Sequence, residues 1–207
     1  LPKDKFRQPY IARQVRVTVP VHLAPLSWTT FQLLEGKAPH HDGLFQNGVI
    51  DTPFVTLSID DGLTLYDKTT NEAYEDFLRF EDRGDIGNEY IYFQPKGTEP
   101  IYAELTAYEV LENNARYAKI LLKHDLTIPV SADEQLDAEQ RGIIEFMNRK
   151  ASRSEELTTI PLETEMTIFV DDPQIRFKTR FTNTAKDHRI RLLVKTHNTR
   201  PSNDSES

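Results

Sequence analysis

The sequence predicts an all-β fold built as an antiparallel β-sandwich, and three observations carry that reading. Along Gln174–Phe181, Ile175, Phe177 and Phe181 alternate with Gln174, Arg176, Lys178 and Arg180. This period of two places one face in a core and the other in water. The same alternation recurs at Val15, Val17 and Val19 and again over Thr167–Val170, while helical spacing is confined to a single stretch.

Taken in order, residues 1–36 hold strands around Val15–Val19 and Thr29–Leu34. These are too few to form a core alone. Gly, Pro, His, Asp and Asn then cluster between Gly36 and Gly48, which reads as a linker. The boundary is placed there, giving residues 1–38 as the end of a small β module and 39–207 as part of a larger domain. From Val55 to Tyr66 the row Val55, Leu57, Ile59, Asp61-Gly62, Leu63, Leu65 reads as a β-hairpin with a turn that takes positive φ. Ile101–Val110 and Tyr117–Thr127 form a second strand pair, joined at the polar turn Glu112-Asn113-Asn114. The one helix is expected over Ala132–Asn148, with Leu136, Ile143, Ile144 and Met147 inward, Ser131 as cap, and Gly142 as a weak point. Lys150–Glu156 reads as loop, and Pro201–Ser207 is a polar tail with nothing to order it. No internal repeat is visible.

Composition narrows function. At 207 residues the chain can bury a proper core. Lys plus Arg number 25 against 33 for Asp plus Glu, a net charge of −8 that repels phosphate backbones, so nucleic acid is not an expected partner. No apolar run approaches the roughly 20 residues that span a bilayer. The absence of cysteine removes disulfides, thiolate nucleophiles and Cys-rich zinc sites, and fits a cytoplasmic protein. The chain opens at Leu1 with charged residues and no apolar leader core, which suggests a fragment or processed chain.

Three groups of residues invite a chemical reading. His40-His41-Asp42 carries zinc-ligating side chains, but neighbouring residues of an extended chain point in opposite directions, so a metal is not expected there. Arg83-Gly84-Asp85 spells an adhesion tripeptide and reads better as a charged turn around a glycine. The stretch Phe80–Tyr90 concentrates carboxylates, glycines and aromatics between strands. Its polar side chains suit sugar hydroxyls, and Tyr90, Tyr92 and Phe93 offer flat faces to a pyranose ring; a solvated loop with tucked-in aromatics is the other reading. Carboxylate spacing along a loop does not establish a glycosidase acid/base pair. Neither a Gly-x-Ser-x-Gly elbow, a phosphate-cradling loop nor a His-Glu-x-x-His helix occurs, so no complete active site is expected.

Leu63-Thr64-Leu65-Tyr66-Asp67-Lys68 followed by Phe80-Glu81-Asp82 and Gly84-Asp85-Ile86-Gly87-Asn88-Glu89-Tyr90 resembles the C-terminal β region of bacterial glycoside hydrolase family 38 α-mannosidases. Phe6-Arg7-Gln8-Pro9-Tyr10, Ala12-Arg13 and Leu26-Ser27-Trp28-Thr29-Thr30 resemble the short β module before that region, and Phe181-Thr182-Asn183, Ala185–Arg189 and Arg191-Leu192 its middle. The resemblance implies a large mutarotase-like super-sandwich. It implies a retaining, zinc-dependent α-mannosidase as the parent enzyme, with nucleophile and zinc in a catalytic domain outside this sequence. The fragment then has no cofactor and no catalysis of its own. Its partners are its own catalytic domain and an α-mannoside, and a homo-oligomeric parent is a further expectation. His41-Asp42 continues as Gly43-Leu44-Phe45, unlike the family's zinc motif, so no zinc role passes to it. One substrate contact does pass, to Tyr90, beside the alternative that Tyr90 only packs. The rival functions are a stand-alone carbohydrate-binding module and the same fragment of a mannosylglycerate hydrolase.

Overall fold

The computed structural model describes residues 14, 17, 19, 21–32, 34, 36, 41–60 and 62–195. The chain divides into two compact units, Leu1–Pro39 and His40–Ser207. In the first, Ser27 closes a turn on the Ala24 carbonyl through both its N–H (3.2 Å) and its Oγ (2.6 Å). Residues 29–32 and 34 form no strand, against the expectation for Thr29–Leu34, because none of the described residues pairs with them. Of the strand expected over Val15–Val19, only Val17 and Val19 are described; both are exposed, and positions 15, 16 and 18 lie outside the described residues. The Pro201–Ser207 tail and the Phe6–Arg13 segment also lie outside them.

The second unit is an antiparallel sandwich. β1 (Phe45–Gln46), β2 (Val49–Asp51), β3 (Val55–Ile59), β4 (Leu63–Asp67) and β5 (Glu72–Tyr74) follow one another in a meander that forms the first sheet. The β3–β4 hairpin is the one expected, with Leu57 opposite Leu65 and Ile59 opposite Leu63. Asn47-Gly48 turns β1 into β2 with φ of 50° and 81°, the left-handed pair that a two-residue hairpin loop requires. The second sheet is formed by β8 (Glu104–Asn113), β9 (Tyr117–Pro129), β10 (Leu157–Phe169) and β11 (Ile175–Arg180), and the third by β12 (His188–Leu193), β6 (Arg79–Gly84) and β7 (Ile101–Tyr102).

The second sheet is the common wall. Along β9, Ala118, Ile120, Leu122, Leu126 and Ile128 all face inward, as the two-residue period of a strand dictates. The first half of this row, with Met166 and Ile168 of β10, packs against Ile50, Leu57, Ile59 and Leu65 of the first sheet. The second half, with Ile160 and Leu162, packs against Phe80 of the third. Each such side chain contributes about 1.5–3 kcal/mol when fully buried.

Several elements differ from expectation for identifiable reasons. Ile101–Val110 is not one strand: Ile101–Tyr102 pairs with β6, and from Glu104 onward the chain pairs with β9. The turn between β8 and β9 falls at Asn114–Arg116, where the Asn114 side chain accepts from the Arg116 and Tyr117 N–H groups. The expected helix is cut to α1 (Glu134–Arg141), because Gly142 caps it, and a short 3-10 turn follows at Phe146–Asn148. Asp133 rather than Ser131 is its N-cap, accepting from Gln135 N–H at 3.2 Å, while the Ser131 hydroxyl donates to the Ala132 carbonyl. In β11, Ile175 and Phe177 face inward and Arg176, Lys178 and Arg180 outward, as predicted. Phe181 is 47% exposed, not buried, since pairing with β10 ends at Arg180.

Candidate functional site

The stretch from Phe80 to Tyr90 is only half a loop. Phe80–Gly84 belongs to β6, the middle strand of its sheet, where Phe80, Glu81, Asp82 and Gly84 are all buried. Both faces of the strand are covered, so its carboxylates must be paired. Asp82, with no exposed surface, places Oδ1 2.6 Å from His188 Nδ1 and Oδ2 2.6 Å from Arg153 Nη1, the latter an ion contact without an aligned hydrogen bond. His188 Nε2 lies 3.0 Å from Asn183 Oδ1. On the opposite face Glu81 accepts from Arg83 through both oxygens (2.9 and 3.2 Å) and from Arg191 Nε at 3.0 Å. The Arg83 hydrogen bonds, against the cost of burial and with Arg191 adding to them, hold the Glu81 carboxyl down to about 2.

Arg83-Gly84-Asp85 is therefore a strand end and not the turn expected. Arg83 is held by Glu81 and by Gln94 Oε1 (3.0 Å), and a side chain at Gly84 would press on Arg153 and Pro95. Asp85 starts the loop proper. Its Oδ1 accepts from Gly87 N–H (2.9 Å) and Phe93 N–H (3.1 Å), while the Ile86 N–H donates to the Phe93 carbonyl (2.8 Å). A Cβ at Gly87 would collide with the Ile91 carbonyl oxygen, so this position requires glycine. Asn88 Oδ1 accepts from the N–H groups of Tyr90 and Ile91, both at 2.9 Å. From the other side Arg149 Nη1 donates to the Ile86 and Gly87 carbonyls at 2.6 and 2.5 Å.

Tyr90 is carried outward on this frame, 89% exposed, and its phenol has no hydrogen-bond partner among the described residues. Tyr90 does not pack into the core of this chain. Tyr92 and Phe93 are different: Tyr92 lies under the Arg189 guanidinium, 3.6 Å from the ring centroid, and Phe93 packs edge-on to Phe146. A cleft of about 470 Å³ opens beside the loop, lined by Asp85, Asn88, Glu89, Gln140, Arg149 and His188 among others. Its acceptor-rich wall suits hydroxyl donors. Sequence reading missed Arg149, Arg153 and His188 as site residues: they come from segments far along the chain, and only His188 lies in a stretch, Ala185–Arg189, that the family resemblance marks. His41 and Asp42 are exposed, His40 lies outside the described residues, and no group of three or more His, Cys, Asp or Glu side chains gathers among the described residues.

Residues 1–35 match the model of the glycosyl hydrolases family 38 C-terminal domain 1. Two solved structures from Enterococcus faecalis, an alpha-mannosidase and a protein of glycosyl hydrolase family 38, superpose with TM-scores of 0.71 at 35% identity over 76% of this chain. The chain resembles the C-terminal domain of family 38 glycosyl hydrolases. A putative mannosylglycerate hydrolase of Halalkalibacterium halodurans is 31% identical over 221 aligned positions, covering all of this chain. The chain spans 24% of that relative's length and 19–20% of the two structures' chains.

Proposed function

We propose that this chain is the non-catalytic β portion of a zinc-dependent, retaining α-mannoside hydrolase, and that it lends the Asp85–Phe93 loop to the sugar pocket. The observation that carries this reading is the presentation of Tyr90: an exposed phenol without a partner, on a loop whose backbone is tied by Asp85, Asn88 and Arg149. A rigid frame lets a contact form without an ordering cost at the moment of binding. Its hydroxyl donates to a sugar hydroxyl, and its ring covers an apolar face of the pyranose. In such an enzyme zinc would supply Lewis acidity in the catalytic domain, and no step passes through a metal here. Work in the cytoplasm belongs to the same proposal.

Replacing Tyr90 by Phe in the full-length enzyme tests it. One neutral hydrogen bond is worth about 0.5–1.5 kcal/mol, so kcat/KM should fall roughly 2- to 15-fold while thermal stability stays unchanged. Full retained efficiency would leave the loop without a substrate role. The name of the Halalkalibacterium relative favours mannosylglycerate as the natural substrate, so the assay runs with both mannosylglycerate and an α-mannobiose. A stand-alone carbohydrate-binding module would instead bind mannose saturably through this loop without the rest of the enzyme.

A further inference from the structure

We propose that a second cleft, between the first and third sheets, binds a small uncharged hydroxyl-rich molecule with His124 at its base. Among the inward residues of β9, His124 breaks an otherwise apolar row, between Leu122 and Leu126. It sits where the two covering sheets part, since Leu122 packs under the first and Leu126 under the third. The ring is 5% exposed and edge-on to Phe80, and its Nδ1 is shut off from solvent with no hydrogen-bond partner. Leaving that nitrogen bare is costly, and the rest of the His124 ring lines the cleft, where a partner from outside the protein can meet it.

The cleft above it measures about 540 Å³. Leu78 and Leu105 give it apolar walls, and Asp76, Arg79 and Glu104 give it a polar rim. Asp76 and Leu78 both hold left-handed backbone, φ 51° and 69°, a strained conformation for residues other than glycine. The charges at the rim balance. Arg79 and Lys195 lie 3.8 and 3.7 Å from the Asp76 carboxylate, so two cations stand against Asp76 and Glu104. Neither an anion nor a cation gains from such a rim. Burial pushes the His124 pKa down to about 4, so at neutral pH its imidazole offers one donor and one acceptor. A hydroxyl both accepts and donates, and the C–H faces of a polyol suit Leu78 and Leu105.

Methyl α-mannoside, methyl α-glucoside and glycerol are the probes, titrated into the chain labelled with ¹⁵N-histidine. Saturable movement of the His124 ring nitrogens with at least one probe is expected. Glu104→Ala, at the exposed rim, should weaken that affinity about tenfold, as loss of a hydrogen bond to a charged acceptor does. His124→Leu should abolish binding as read by saturation transfer to the ligand; if that variant does not fold, Glu104→Ala carries the test alone. Tyr90→Phe should leave the His124 response untouched, which separates this site from the loop. No His124 shift with any probe would mean that the cleft holds water only, and binding unchanged in Glu104→Ala would place the ligand elsewhere; either result overturns the proposal.

Discussion

Replacing Asp82 by Asn removes one charge from the most enclosed ion cluster of the molecule without opening a cavity. Asp82 is fully buried, and its two partners have side chains that are 3% (His188) and 8% (Arg153) exposed. None of the Arg153 guanidinium nitrogens has a directed hydrogen bond, so the Asp82 carboxylate is the compensation for its burial. Removing one member of such a pair costs about 3–5 kcal/mol, because the other charge stays in low dielectric without a counter-ion. For a domain of this size each kcal/mol moves Tm by about 2–4 °C, so a fall on the order of 6–20 °C follows. Urea unfolding followed by far-UV circular dichroism reads the loss as a lower midpoint at constant slope. Adding Arg153→Met to Asp82→Asn should restore most of it, since the orphaned charge is then gone. A loss under about 1 kcal/mol, or a double variant as damaged as the sum of the singles, would refute this account of the cluster.

Three further outcomes are expected. His124 is held below its ordinary pKa, at about 4, so its stabilisation is complete above the unfolded value near 6.5 and is lost as pH falls from there through 4; on the order of 3 kcal/mol disappears, and a Tm-against-pH profile of His124→Leu should lack that limb. Glu81, lowered to about 2, adds a second acid limb between about pH 4.5 and 2, which Arg83→Met should shrink. Phe177→Ala should cost about 2–3 kcal/mol in urea unfolding, at the low end for a truncated phenylalanine, because its ring is half-buried against Phe77 at 6.0 Å between centroids.

Alternation made the β class readable because a strand with one wet face writes its burial directly into the sequence. β3, β4 and β11 show this, and so does β9, where Lys119, Leu121 and Lys123 alternate with inward Ala118, Ile120 and Leu122. β6 escaped notice for the converse reason. A strand covered on both faces has no alternation, and Arg79-Phe80-Glu81-Asp82-Arg83-Gly84 reads as a hydrophilic loop when its charges are in fact paired inside the protein. Its partners lie up to 110 positions away, at Arg153, His188 and Arg191, and sequence spacing does not announce the pairing. The Ile101–Val110 error has another source: Ala103 marks a change of sheet, and an extended chain looks the same whichever neighbour it pairs with.

The segment between β9 and β10, read from the sequence as a helix and a loop, holds the candidate loop in place. Glu139, buried on α1, accepts from the Lys150 and Ala151 N–H groups (2.8 and 3.2 Å), which ties the return of the chain to the helix. Asp133 does the same for Ser152 (3.0 Å). These two anchors deliver Arg149 to the Ile86 and Gly87 carbonyls and Arg153 to Asp82, one clamp on the loop and one on the strand that feeds it. Ile86 completes the attachment, 1% exposed among Ala132, Leu136 and Ala151. Glu139→Gln should therefore act on the loop at a distance. It turns one of the two oxygens that accept from the Lys150 and Ala151 N–H groups into an amide donor, leaves every residue that faces the cleft in place, and should raise amide exchange at Ile86 and Asn88 together with that at Lys150 or Ala151. If exchange rises at Lys150 or Ala151 but stays unchanged at Ile86 and Asn88, the loop is rigid through Asp85 and Asn88 alone, and the insert does not support it.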